Sequence, residues 1–168
     1  MSEEPWLRGP IEDIHPLLAP ILYSFQQARE DLEKWTADLS DHQIWQTAPG
    51  IASVAFQLRH IAGSVDRLIT YLSGAQLCES QREALRSENT PGATRHELLQ
   101  TVAAAFSRAE AIVRQIDPAT LTQTREVGRK KLPTTVAGLL THIAEHTQRH
   151  VGQAIITSKL VKLRLQDS

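Results

Sequence analysis

The segment Thr135–Leu160 reads TVAGLLTHIAEHTQRHVGQAIITSKL, and its periodicity sets the fold class. Val136, Leu139, Ile143, His146, His150, Gln153 and Leu160 recur at helical steps, the pattern of one face of a helix turning every 3.6 residues. Within it His142, His146 and His150 stand four positions apart. Neighbours at that spacing differ by about 40° around the axis and lie about 5–6 Å apart at Cβ, so two imidazoles could grip one divalent ion. With the apolar residues marking the inward direction, His150 is expected nearest the centre of the seam, His146 next, and His142 toward the rim.

Three more helical stripes precede this one. Ile11, Ile14, Leu18, Ile21, Phe25, Ala28, Leu32 and Trp35 mark a first helix to Asp38, its start placed between Pro16 and Pro20 because proline is tolerated only in a first turn. After a Pro49–Gly50 break, Ser53 reads as the N-cap of a second helix carrying Val54, Leu58, Ile61, Val65, Leu68 and Leu72, with Gly74 at its end. Residues 75–93 are polar and without periodicity. Thr94 then caps a third helix with Leu98, Val102, Phe106, Ala109, Val113 and Ile116, stopped by Asp117–Pro118. The connection that follows holds Gly128 and a basic cluster, Arg129, Lys130 and Lys131, read as a solvated loop. No strand alternation, repeat or second domain is evident, so residues 1–168 are expected to form one all-α domain, a four-helix bundle. The long link between helices two and three could cross the bundle and leave those two parallel.

Composition narrows the function. The 168 residues carry a formal net charge of −1 with Lys and Arg scattered, which argues against nucleic acid as a partner. Cys78 is the only cysteine and fits a reducing compartment as a buried or idle thiol. The start, MSEEPWLRGP, has no apolar core and does not read as a signal peptide, and no segment approaches a membrane span. A soluble, cytoplasmic protein is expected.

Two readings of the histidines stay open. Two imidazoles buried on an apolar seam without partners would be costly, and a shared Zn, Ni, Fe or Cu ion would account for both. Alternatively they are helix-surface residues bonded to neighbours. The HExxH signature is absent because Glu145 precedes His146, so no zincin-type general base is supported. His60, in FQLRHIAGSVDRL, lies more than about 100° from the centre of the second helix's stripe, on a flank with Phe56, Ser64, Arg67 and Tyr71. If that flank faces the fourth helix, these residues line a pocket and Gly63 leaves space beside a metal; if it faces solvent, the third ligand fails. Gln153 could orient a water on the ion or fill the seam.

With His60 in LRHIAGSVDRL and the late HxxxHxxQ of His146 to Gln153, the chain resembles the DinB-like superfamily, which includes bacterial metal-dependent thiol S-transferases. The resemblance implies an up-down-down-up four-helix bundle, frequently a homodimer, that holds Ni, Zn or a similar ion (Fe, Mn or Cu among them) through three histidines. By motif position the ligands carry over to His60, His146 and His150, with Gln153, Ser64 and His142 as candidates to support them. Many members read HRGQ at the last ligand; this chain has HVGQ, with Val151 in place of the arginine. The leading expectation is a metal-dependent thiol S-transferase that joins a low-molecular-weight thiol to a small electrophilic substrate. The alternatives are a metal-dependent hydrolase, or a non-catalytic dimeric bundle binding metal or a small ligand in stress response.

Overall fold

The computed structural model describes residues 3–47 and 50–166, with side chains to Leu163. Pro49 of the expected break lies outside the described residues, as do Met1 and Ser2 of the N-terminal stretch; Gly50 takes a φ of +74°. Four long helices form the body: α1 (Ala19–Thr36), α2 (Val54–Leu72), α4 (Arg95–Val113) and α5 (Val136–Gln166). Their ends obey local chemistry. Pro20 occupies the first turn of α1, where its missing N–H is no loss. Ser53 Oγ accepts from Phe56 N at 3.1 Å to cap α2, and Thr94 and Glu97 form a reciprocal capping box on α4.

The polar stretch after α2 contains a short helix that periodicity did not reveal, α3 (Glu79–Arg86), which has no buried residue and hence no apolar stripe to detect. Cys78 stands at its N-cap and is exposed, not buried. Its thiol is held below the usual range by the Ser80 hydroxyl and the Gln81 backbone. The expected solvated loop before α5 is also corrected. It is an antiparallel hairpin of β1 (Thr124–Val127) and β2 (Leu132–Thr135), with Gly128 and Lys131 at positive φ in the turn that holds the basic cluster. The hairpin serves the helices around it. Arg125 Nε donates to the Leu72 carbonyl at the end of α2, and Gln123 and Leu121 carbonyls accept from Val136 N and Ala137 N in the first turn of α5.

Side-chain hydrogen bonds between helices set their directions. Gln148 donates to Ser24 and Lys162 to Asp38, so α5 runs parallel to α1. Gln57 meets His150 and Thr157 donates to Ala52, so α2 runs antiparallel to α5. Arg29 pairs with Glu110 and Arg95 with Glu33, so α4 opposes α1. The bundle is therefore up-down-down-up, with α2 and α4 parallel and joined by the crossover that carries α3. At its centre Phe25 and Phe106 stack with ring centroids 4.5 Å apart.

The inward line of α5 differs from the expected seam. From Thr147 to Ser158 the buried residues are Thr147, Val151, Ala154, Thr157 and Ser158, while His146 and His150 sit half-buried beside that line and Gln153 is exposed. Thr147 and Ser158 are polar, so an apolar count slides off them by one residue. Val151 packs in the core at 1 % exposure.

Candidate metal centre

The flank of α2 that carries His60 faces α5. His60 Nε2 lies 3.1 Å from His146 Nε2, and the His60 and His150 rings have centroids 4.2 Å apart. One ring nitrogen from each of His60, His146 and His150 falls within 4.8 Å of the other two. The antiparallel pairing of α2 and α5 makes this possible. The two histidines on α5 differ by one turn, and the single histidine on α2 comes level with the space between them.

Two of the three rings are oriented from behind. His60 Nδ1 lies 2.8 Å from Glu88 Oε2, and His150 Nδ1 lies 2.6 Å from Gln57 Oε1. A carboxylate and an amide oxygen only accept, so both Nδ1 atoms carry a proton, and a neutral ring held this way keeps its lone pair on Nε2. This is how metal-ligating histidines are commonly held. Phe56 stacks on the outer face of His60, 5.4 Å between centroids at 17°.

Glu88 is 5 % exposed and also accepts from Arg67 Nη1 at 2.9 Å. Burial would raise its carboxyl, yet the hydrogen bond from His60 and the Arg67 charge outweigh that effect and hold it below the usual carboxylate range. Gly63 makes the pair possible. A Cβ there would meet Arg67 Nη1 at 2.7 Å and Glu88 Oε1 at 2.8 Å, so the space left by this glycine is filled by the ion pair.

The ligand set fits a divalent transition metal. Burial, with the neighbouring His60 and His146 charges, lowers the His150 pKa to about 4; burial and the same kind of neighbours lower that of His146. Both are therefore neutral at pH 7 and offer lone pairs. Three imidazole nitrogens suit Zn, Ni, Cu or Fe better than hard oxygen-seeking ions. Among the described residues His146 Nδ1 is buried with no hydrogen-bond partner, and an unpartnered buried polar atom costs about 1–3 kcal/mol.

The other sequence candidates are placed as follows. His142 stands exposed on the rim, its Nδ1 2.7 Å from Glu145 Oε1. The Ser64 hydroxyl donates to its own helix at the Ile61 carbonyl, 3.1 Å away. Gln153 lies in a groove of about 680 Å³ between the start of α2 and α5, with Ile51, Phe56, Gln57, Arg149 and Ile156. Phe56 and Gln57 touch the histidines and line this groove, so it opens beside the histidine cluster. Sequence reasoning missed Gln57 and Glu88. Gln57 stands one turn before His60, and a buried Arg67 demands a counter-charge, but nothing local points to Glu88 in the crossover.

Solved structures share this architecture. A conserved protein from Enterococcus faecalis superimposes with a TM-score of 0.72 at 21 % identity, covering 88 % of this chain and 98 % of its own. A DinB-like protein from Bacillus cereus gives 0.63 at 17 %, covering 84 % and 91 %. YfiT from Bacillus subtilis, described as a probable metal-dependent hydrolase with an unusual four-helix bundle topology, gives 0.67 at 16 %, covering 92 % and 93 %. At these identities the likeness is one of fold. A search of curated proteins found no significant match. The model of the DinB superfamily matches residues 24–154, a span that holds all three clustered histidines, and the chain belongs to that superfamily.

Proposed function

We propose that the protein is a metal-dependent thiol S-transferase, with His60, His146 and His150 as the ligands of a nickel or zinc ion and a low-molecular-weight thiol as co-substrate. The observation that carries this reading is the convergence of three imidazoles beside an open groove that contains no carboxylate among its described lining residues. When bound, a divalent ion at the three histidines supplies a Lewis-acidic centre that favours the ionised form of a thiol.

The missing carboxylate separates thiol transfer from hydrolysis. At pH 7 ionising a thiol of pKa near 8.5 takes about 2 kcal/mol, whereas ionising bulk water takes about 12. The nearest buried carboxylate, Glu88, is already committed to His60 and Arg67, so it is not free to act as a base on water. A thiol needs no such base: its proton leaves to solvent, a sulfur–carbon bond forms, and the electrophile's leaving group departs with its bonding pair. Ile51, Phe56 and Ile156 would shelter the apolar part of the electrophile, and Arg149 and Gln153 offer hydrogen-bond donors at the mouth. Glu88 and Gln57 hold the His60 and His150 rings in the tautomer that leaves Nε2 free.

The hydrolase reading draws on the description of YfiT and is weakened by the same absence of a free base. Elemental analysis of untagged protein, wild type against His146→Ala, is the first test, with near one equivalent expected in wild type and most of it lost in the variant. The loaded protein is then offered a panel of thiols with electrophiles, and of esters and amides. Conjugation supports the transferase, ester or amide cleavage alone replaces it with the hydrolase, and an intact metal site without turnover leaves a ligand-binding bundle. A homodimer belongs to the same proposal and is checked by sedimentation. Among the described residues no helix is long and apolar enough to cross a membrane.

A further inference from the structure

A second group of ligating side chains adjoins the first and shares one member with it. One atom each from His142, Glu145 and His146 lies within 4.8 Å of the others. The His142 and His146 rings are 5.2 Å apart between centroids, and those of His146 and His150 are 4.5 Å apart. The side chains of His142 and Glu145 are 47 % and 42 % exposed, while the inner histidines are half-buried. The histidines thus form a ladder from solvent to the inner centre, with His146 as its middle rung.

The geometry of the ladder separates the two ring nitrogens of His146. Its Nε2 lies 3.1 Å from His60 Nε2, on the side of the inner centre. Its Nδ1 is buried with no hydrogen-bond partner among the described residues, and His142 and Glu145 each bring a ligating atom within 4.8 Å of a ring nitrogen of His146. Imidazole and carboxylate together suit a divalent transition-metal ion. We propose that His146 Nδ1, His142 and Glu145 form an outer capture site for a divalent transition-metal ion, from which the ion passes to His60, His146 and His150. A neutral imidazole offers one lone pair at a time, so the two sites compete for His146. The outer site therefore acts in loading and does not hold a second permanent ion.

This inference rests on the inner centre holding the same kind of ion, and the test separates the two. Zinc is added to metal-free protein in competition with a chromophoric chelator, read at equilibrium and by stopped flow. The proteins are wild type, His142→Ala, Glu145→Gln, His60→Ala and His60→Ala/His142→Ala, each checked for helix content. His142→Ala and Glu145→Gln are expected to reach the wild-type equivalence of zinc but to load about tenfold more slowly, as loss of a local ion-concentrating group predicts. His60→Ala is expected to keep a weaker zinc site that disappears when His142→Ala is added. Loading of His142→Ala at the wild-type rate, or loss of all zinc in His60→Ala, overturns the outer site and leaves the inner one intact. Equal zinc binding by wild type and His60→Ala, abolished in both by His142→Ala, overturns the inner centre and keeps the outer.

Discussion

Replacing Glu88 with alanine tests whether the crossover carboxylate holds the metal centre together. The change strips a buried guanidinium, Arg67 at 9 % exposure, of its counter-charge and removes the acceptor of the His60 Nδ1 proton. Removing one partner of a buried ion pair typically costs about 3–5 kcal/mol, because the remaining charge is left uncompensated. For a domain of this size that corresponds to a fall in Tm of roughly 6–20 °C. Loss of the ring's support should also weaken zinc binding about 10- to 100-fold. Glu88→Gln keeps one acceptor oxygen and should fall between the two. Thermal unfolding in chelator isolates the structural part, and zinc titration of the folded variant isolates the metal part. A Glu88→Ala protein that unfolds within about 0.5 kcal/mol of wild type, the size of an ordinary surface change, and binds zinc with unchanged affinity would refute this account.

Other perturbations have equally definite outcomes. Gly63→Ala gains up to about 1 kcal/mol of helix propensity, but the new Cβ displaces the buried Arg67–Glu88 pair, so zinc titration should show weaker binding than wild type. In chelator, stability should fall by roughly 1–3 kcal/mol as pH drops from 6.5 toward 4. His150 ionises near 4 when folded against 6.5 ordinarily, and His146 is lowered too. Across that window the unfolded chain binds protons the folded chain excludes, and urea unfolding at a series of pH values measures the slope. Phe106→Ala removes a fully buried ring stacked on Phe25 and should lower the urea midpoint by an amount equivalent to about 3–5 kcal/mol. Ser53→Ala deletes the N-cap of α2 and should cost about 1 kcal/mol in the same assay.

The parts of the fold that could be read from the chain are those with apolar stripes and capping residues. Ser53 and Thr94 set the starts of α2 and α4, and the length of the link between those helices pointed to the parallel arrangement that the interhelical hydrogen bonds show. α3 escaped because it buries nothing, and the hairpin because each strand is four residues long. The heptad-like seam on α5 slid off the true inward line because an ideal helix drifts about 20° per heptad and because Thr147 and Ser158 are buried despite their polarity. Gln153 was thereby assigned to the seam and stands exposed in the groove. The direction of His60 was undecidable from its own helix, since it depends on which neighbour covers that flank. Glu88 lies 28 positions from His60, beyond any local pattern.

The crossover also separates two kinds of constraint. α3 has no buried residue, so it adds nothing to the buried core and is tied to α2 through Gln81, which donates to Asp66 and Thr70, yet the chain it belongs to delivers Glu88 to the back of His60. The surroundings of His60 can thus be adjusted through a segment that lies outside the core. Re-looping the same four helices into an up-down-up-down order would keep the stripes on each helix while removing the segment that brings this carboxylate to the site.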